Sequence, residues 1–285
     1  MGGDVTGTLF CFGLGYSART LAERLAARGW AIRGTTRRPE KAQALAARGW
    51  RMFPFDRDRP LPPEALAGVT HALTSIAPDE QGDPGLDLHG PDLRGVQWIG
   101  YLGTTAVYGD RQGGWVDEDT AIEPTLARAD RRARAEAAWL VSGLPVHIFR
   151  LAGIYGPGRN AFVNLKEGTA RRIVKPGQVF SRIHVEDIAN VLEASIARPR
   201  PGAVYNVCDD EPAPPDEVVA HAAELMGVAP PPAQPYETAE LSPMARTFYK
   251  DNRRVRNERI KRELGVTLAY PSYREGLAAL LATDG

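Results

Sequence analysis

Residues 8–18, Thr8-Leu9-Phe10-Cys11-Phe12-Gly13-Leu14-Gly15-Tyr16-Ser17-Ala18, decide the fold. A short apolar run suited to a strand breaks into a glycine turn. The turn opens a helical pattern that continues through Ala27, with Gly29 as its stop. Glycines at such a turn let the backbone approach an anion, and the positive end of the following helix favours negative charge there. Gly13-x-Gly15-x-x-Ala18 therefore reads as a dinucleotide-binding turn, with Gly13, Gly15, Tyr16, Ser17 and Ala18 as the residues nearest the cofactor. The competing reading is a tight strand-to-helix turn in some other α/β protein.

The alternation continues downstream. Residues 30–36 read as a strand, 39–47 as a helix closed by Gly49, and 51–55 as a third strand ending at Asp56. Strands follow at 71–75 and 97–102. Between them Pro78, Gly82, Pro84, Gly85, Gly90, Pro91 and Gly95 argue against a full helix. Residues 126–141 form a helical pattern with arginines at 128, 131, 132 and 134, and 145–151 return as a strand. Residues 154–158 read as a loop, 183–196 as a helix after a short strand, 203–207 as a strand, 216–226 as a helix and 230–235 as a proline-rich linker. Two helices, 252–264 and 273–281, close the chain. This pattern predicts an α/β fold, a Rossmann-like doubly wound parallel sheet with a smaller C-terminal substrate lobe. The expected boundaries are 1–157 and 178–209 for the dinucleotide-binding domain, and 158–177 and 210–285 for the lobe, with substrate between them.

Composition excludes several classes of function. Thirty-five basic residues balance 35 acidic ones in 285, so no global field favours nucleic acid or a membrane surface. No apolar run approaches the roughly 18 residues that a membrane span needs. Cys11 and Cys208 lie far apart, each in an apolar run, which excludes a disulfide framework and points to the cytoplasm. Residues 1–4 carry no signal peptide, and the loose myristoylation match of Gly2 and Thr6 reads as chance. The histidines are isolated from one another, so no metal site is expected. Asp117-Glu118-Asp119 reads as a solvated turn, and the arginines of 253–262 as one side of ion pairs along a helix.

The end of the second strand selects the dinucleotide. A carboxylate there would hold the ribose 2′-hydroxyl of NAD. Here Thr35-Thr36-Arg37-Arg38 offers hydroxyls and guanidinium to a 2′-phosphate, so NADP(H) is favoured over NAD(H), through Thr36, Arg37 and Arg38. The alternative is a solvated basic start to the helix at Pro39.

From this point the residues resemble the extended short-chain dehydrogenases/reductases, in their NAD-dependent epimerase/dehydratase branch, over nearly the whole chain. Asp56 matches the acid that contacts adenine in that family, and Ile76 and Ala77 follow the fourth strand where the cofactor would lie. Gly103-Thr104-Thr105-Ala106-Val107-Tyr108-Gly109 is similar to its Ser/Thr-x-x-x-Tyr-Gly signature. Arg150 through Tyr155-Gly156-Pro157-Gly158 and His184-Val185-Glu186-Asp187 match two further markers. The resemblance implies a Ser or Thr hydroxyl, a Tyr acid/base and a Lys four residues later. Counting back from Glu136, those last two positions fall on Arg128 and Arg132. No Tyr lies between Tyr108 and Tyr155, and no Lys between Lys41 and Lys166. Arginine cannot exchange protons near neutral pH, so the usual Tyr-mediated step should be crippled or replaced.

The candidate catalytic residues are then Thr104 as hydrogen-bond donor, with Tyr108 or Tyr155 as a relocated acid/base. The alternative for both tyrosines is packing in the core or cleft. Arg159 and His184 are candidates for substrate contact, although His184 beside Asp187 serves equally to orient the following helix. The expectation is an atypical NADP-dependent oxidoreductase or epimerase/dehydratase acting on a small carbonyl or sugar-nucleotide substrate. The alternative is a non-catalytic NADP(H)-binding sensor. The breaker-rich 78–95 and the arginines of 126–141 suit a monomer better than a helix-bundle dimer.

Overall fold

Leu9, Phe10, Cys11 and Phe12 are all fully buried, as in a parallel strand covered on both faces. In the computed structural model, which describes residues 6–284, they belong to β1 (Thr8–Phe12). The readings made of residues 1–5 lie outside the described residues. After β1 come α1 (Tyr16–Ala27), β2 (Ala31–Thr35), α2 (Pro39–Ala46), β3 (Arg51–Phe53), β4 (His71–Thr74), α3 (Pro84–His89) and β5 (Trp98–Thr104). Further along are α4 (Ala127–Leu140), β6 (Val146–Leu151), α5 (Val185–Ala197) and β7 (Val204–Val207). These seven strands form one parallel sheet in the order β7-β6-β5-β4-β1-β2-β3. β1 pairs with β2 on one side and β4 on the other, Cys11 standing opposite Gly34 and Leu73. The chain reverses its winding there, and ligands of such sheets bind at the carboxyl ends of the strands beside that reversal.

The chain divides into two compact units. The first comprises, among the described residues, 6–104, Arg128–Arg150 and Val191–Tyr205. Its core gathers Phe10, Phe12, Ile99, Tyr101, Trp139 and Ile148, with Ala135 and Trp139 of α4 turned inward. The glycines and prolines of 78–95 leave room only for the six-residue α3, capped by Asp83, whose Oδ1 accepts the Gly85 and Leu86 N–H groups at 2.8 and 3.3 Å. One ion pair is sealed inside this unit. Arg150 and Glu136 are 4% and 1% exposed, and Arg150 Nε donates to both Glu136 carboxylate oxygens at 3.1 and 3.2 Å.

The second unit comprises, among the described residues, Thr105–Ala127, Leu151–Asn190 and 206–284, so residues 105–127, 151–157, 178–190 and 206–209 of the expected dinucleotide-binding domain fall in it. It has its own core of Tyr155, Phe162, Ala222, Tyr273, Leu277 and Leu280. Short parallel pairs tie it together, and three depart from the sequence reading. Gly153–Tyr155 is a strand beside Arg182–His184, where a loop and a helix start were expected. Arg254–Val255 pairs with Trp115–Val116, so the expected helix 252–264 begins only at Glu258. The linker at 230–235 contributes Ala233–Pro235 to a pair with Arg172–Val174. Each is two or three residues long and gets its partner from a distant segment, so no local periodicity announces it.

Two stability outcomes follow. Arg150→Met strands the Glu136 carboxylate and should cost about 3–5 kcal/mol, most of it recovered in the Arg150→Met/Glu136→Leu double variant, read by urea unfolding. The second concerns His71, which is 5% exposed between the Trp30 and Trp98 rings, where burial lowers its pKa to about 4. The unfolded chain takes up this proton near pH 6.5 and the folded chain does not. The contribution is therefore whole above pH 6.5 and falls, by about 1.4 kcal/mol per pH unit, as pH drops towards 4. Urea unfolding between pH 7 and 4 should show that slope, reduced by one proton in His71→Gln.

Candidate functional site

At the carboxyl end of β1 the backbone is held in a shape that only glycine accepts. Gly13 sits at φ +84°, and a Cβ there would meet Ile76 Cγ2 at 2.9 Å and Ser75 Oγ at 3.0 Å. Its N–H donates to Thr35 Oγ1 at 2.8 Å, Leu14 N–H donates to Thr35 O at 2.9 Å, and Ser75 Oγ donates to Gly13 O. The turn is thereby pinned to β2 on one side and to the end of β4 on the other. β2 comes this close because Gly34 has no side chain: a Cβ there would lie 2.6 Å from Leu14 Cδ1.

Gly15 is different. It has ordinary φ, is the N-cap of α1 without a side-chain cap, and a Cβ on it would meet only Ser75 Oγ, at 3.9 Å. The open space over Gly15, the absence of acidic residues in the first turn of α1 and the fully buried Ala18 suit a pyrophosphate at that helix end. Tyr16 is half-buried and Ser17 buried in the same turn.

Cations gather beyond β2. Arg37 and Arg38 are exposed, and Thr36 Oγ1 accepts the Arg38 N–H at 3.3 Å. Lys41, which sequence reasoning passed over, joins them: burial and the neighbouring charges of Arg38 and Arg19 lower its pKa. Its place three residues after Arg38 in a helix opened by Pro39 was the available signal. Asp56 is exposed and its Oδ1 accepts the Asp58 N–H at 3.1 Å. Next to it, the equally unforeseen Arg57 forks onto Asp79 (Nε to Oδ2 2.6 Å, Nη2 to Oδ1 2.9 Å) and reaches Asp87 at 2.7 Å. These bonds hold the Asp79 carboxyl below its usual range and tie the loop after β3 to the loop after β4. Ile76, half-buried, and Ala77, exposed, lie on that second loop. Thr104 ends β5 half-buried. Arg132 of α4 donates from Nη1 to Ile76 O at 2.9 Å and to Leu102 O at 3.1 Å, bridging the ends of β4 and β5.

The second unit holds the remaining candidates, and its geometry gives both tyrosines packing roles. Tyr108 is fully buried and donates its hydroxyl to Asn206 Oδ1 at 2.7 Å. Asn206 N–H in turn donates to Glu118 at 2.9 Å, so the acidic stretch 117–119 is partly structural rather than wholly solvated. The Tyr155 ring lies against Gly276, where a Cβ would fall 2.0 Å from the hydroxyl oxygen, and its hydroxyl donates to Ser272 O at 3.3 Å. Burial, and then the charges of Asp209 and Asp187, push the Tyr155 pKa far up. A hydroxyl so placed resists ionisation and is poorly suited to acid/base work near neutral pH.

His184 meets Tyr155 edge to face at 5.1 Å and Tyr270 at 4.0 Å, and its Nδ1 accepts the Glu186 N–H at 3.2 Å at the start of α5. Of its two readings, the geometry favours the one that orients the helix. Arg159 is exposed in a turn whose backbone bonds to Gly156. The structure thus gathers the cofactor candidates in the first unit and joins Tyr155 to His184 in the second.

No protein-family model matches the chain. A conserved protein of unknown function from Silicibacter pomeroyi has a solved structure with 56% identity, covering 98% of this chain and 99% of its own, at a TM-score of 0.91. A Methylobacillus flagellatus protein, provisionally described as an NAD-dependent epimerase/dehydratase, is 26% identical over 99% of both chains, with a TM-score of 0.73. The 3-diazoavenalumate denitrifying reductase of a Streptomyces species is 31% identical over 182 residues, 57% of this chain and 58% of its own length.

The two glycines should separate on substitution. Gly13→Ala combines positive φ with overpacking and should cost about 2–4 kcal/mol. Gly15→Ala loses only cap preference and should cost no more than about 1 kcal/mol. Paired thermal and urea unfolding curves check both.

Proposed function

We propose that this chain, which belongs to the extended short-chain dehydrogenase/reductase family, binds NADP(H) through its first unit and is a hydride-transferring enzyme acting on a small carbonyl-type substrate. The observation that carries the reading is the Gly13 turn, locked to Thr35 and Ser75 and followed by open space over Gly15 at the start of α1. Such a cradle suits a pyrophosphate on the amides around Tyr16, Ser17 and Ala18. Thr36, Arg37, Arg38 and Lys41 would take the 2′-phosphate, and their clustered positive charge supports NADP(H) over NAD(H). Asp56 would face the adenine and Ile76 with Ala77 the body of the cofactor, on a loop made stiff by the Arg57 fork. Bound there, the nicotinamide would supply or accept the hydride. Thr104, at the end of β5, would donate a hydrogen bond to the substrate oxygen.

The Methylobacillus relative, provisionally an NAD-dependent epimerase/dehydratase, and the Streptomyces relative, a reductase, support this class of chemistry. One observation favours a second reading, binding without turnover: Tyr108 and Tyr155 are both buried and bonded, which leaves neither as a ready proton donor.

Titration of the purified protein with NADPH and with NADH, followed by nicotinamide fluorescence, tests the proposal. NADPH should bind more tightly, and Arg37→Ala should weaken NADPH about tenfold while leaving NADH unchanged. Gly15→Ala should abolish both with the fold intact. Binding of neither dinucleotide would end the reading. Tight NADPH binding without oxidation by any of a panel of aldehydes and ketones would favour the second.

A further inference from the structure

Arg132 is a half-buried guanidinium with no carboxylate within ion-pairing distance among the described residues. Glu136, one turn further along α4, is the partner its spacing would select, but both Glu136 oxygens are engaged by Arg150. Asp83 feels the Arg132 charge at longer range without forming an ion pair with it, and burial raises the Asp83 carboxyl above its usual range. Nη1 of Arg132 rests on the Ile76 and Leu102 carbonyls, with the guanidinium 5.9 Å from the Tyr101 ring centroid. The Tyr101 hydroxyl donates to the Arg132 backbone carbonyl at 3.4 Å and also meets the guanidinium; no other side chain among the described residues bonds to Nε or Nη2. This cation, with no carboxylate in direct contact, is fixed at the carboxyl edge of the sheet, where ligands bind. Ile76, whose carbonyl it holds, also touches the Gly13 turn.

We infer that Arg132 is the receptor for a carboxylate group of the substrate, so that the substrate is a small carboxylic acid. The inference rests on the reading of the first unit as the cofactor-binding unit. It deepens that reading by naming the substrate class. The guanidinium N–H groups not spent on the Ile76 and Leu102 carbonyls or on the Tyr101 hydroxyl are left to donate to a carboxylate, the group that guanidinium matches best. Arg128 lies four residues earlier on the same helix face. Anchored there, an acid would hold its reactive carbon beside the end of β5 and Thr104.

Ligand-observed NMR titration tests this with benzoate and pyruvate as probes, benzamide and inorganic phosphate as controls, on the protein alone and on the NADPH-loaded protein. Benzoate or pyruvate should bind, benzamide at least tenfold more weakly. Arg132→Gln should remove the difference between acid and amide while changing the NADPH dissociation constant less than twofold. Since Nη1 bridges two strand ends, Arg132→Gln could lose the fold. Arg132→Lys keeps the charge and loses the fork, and should weaken carboxylate about fivefold with benzamide unchanged. Equal binding of benzoate and benzamide to the wild type overturns the inference, as does carboxylate binding indifferent to both substitutions. Phosphate binding tighter than either carboxylate overturns the assigned class. A tenfold loss of NADPH affinity in Arg132→Lys assigns the cation to the cofactor and overturns it too. Failure of NADPH to bind the wild type is a failure of the cofactor reading, and the titration without dinucleotide still reports on Arg132.

Discussion

Three strands meet at one peptide turn, and the rest of the carboxyl edge depends on how tightly they meet. Gly13 can take its positive φ only without a Cβ, and β2 can come within reach only because residue 34 is also glycine. Thr35 and Ser75 then fasten the turn from opposite sides through Oγ bonds that water would otherwise contest. The direction of α1 follows from that fastening, and so does the position of Ile76 against the turn. The Ile76 carbonyl anchors Arg132, so the cation on α4 is located by a chain of contacts that starts at a glycine on β1.

α4 carries a second constraint, an ordering of charge along one face. Arg132, Glu136 and the Arg150 of β6 stand as plus, minus, plus, and the negative member is bonded to only one of its neighbours. Sealing an ion pair between helix and sheet is a poor source of net stability, because desolvation offsets most of the attraction. It does specify register: α4 cannot slide by a turn without stranding Glu136 in the core beside Trp139 and Tyr101. The same arrangement keeps Glu136 from neutralising Arg132, which retains its charge where the sheet ends.

The first unit was legible in the sequence because its signals are local. Apolar runs, glycine stops and the Gly13-x-Gly15 turn each fit in a window of a dozen residues, and the resulting parallel sheet follows from their alternation. The Arg57–Asp79–Asp87 fork was not legible, since nothing in residues 56–58 shows that a loop over twenty residues away will fold back onto them. The second unit was harder for the same reason throughout. Gly153–Tyr155 becomes a strand only because Arg182–His184 lies beside it, and Arg254–Val255, with Val255 buried, becomes one only because Trp115–Val116 pairs with it. Tyr155 illustrates the consequence for function. Its motif context suggested a hydroxyl facing a ligand, while the packing of its ring on Gly276, 121 residues later, makes it core.

That reassignment changes what the chemistry can be. Tyr108 has given its hydroxyl to Asn206, and Tyr155 is buried with a hydroxyl pushed away from ionisation by Asp209 and Asp187 as well as by burial itself. Thr104 can donate a hydrogen bond but does not ionise near neutral pH. On the proposed reading, the first unit therefore contributes position and positive charge more than proton exchange: Arg132 fixes and polarises, and Thr104 orients. Electrostatic stabilisation of this kind contributes strongly to catalysis when the donors are held in advance, and Arg132 is held by two strand-end carbonyls before any ligand arrives. Substrates whose hydride step needs little proton help are the ones such an edge would serve best.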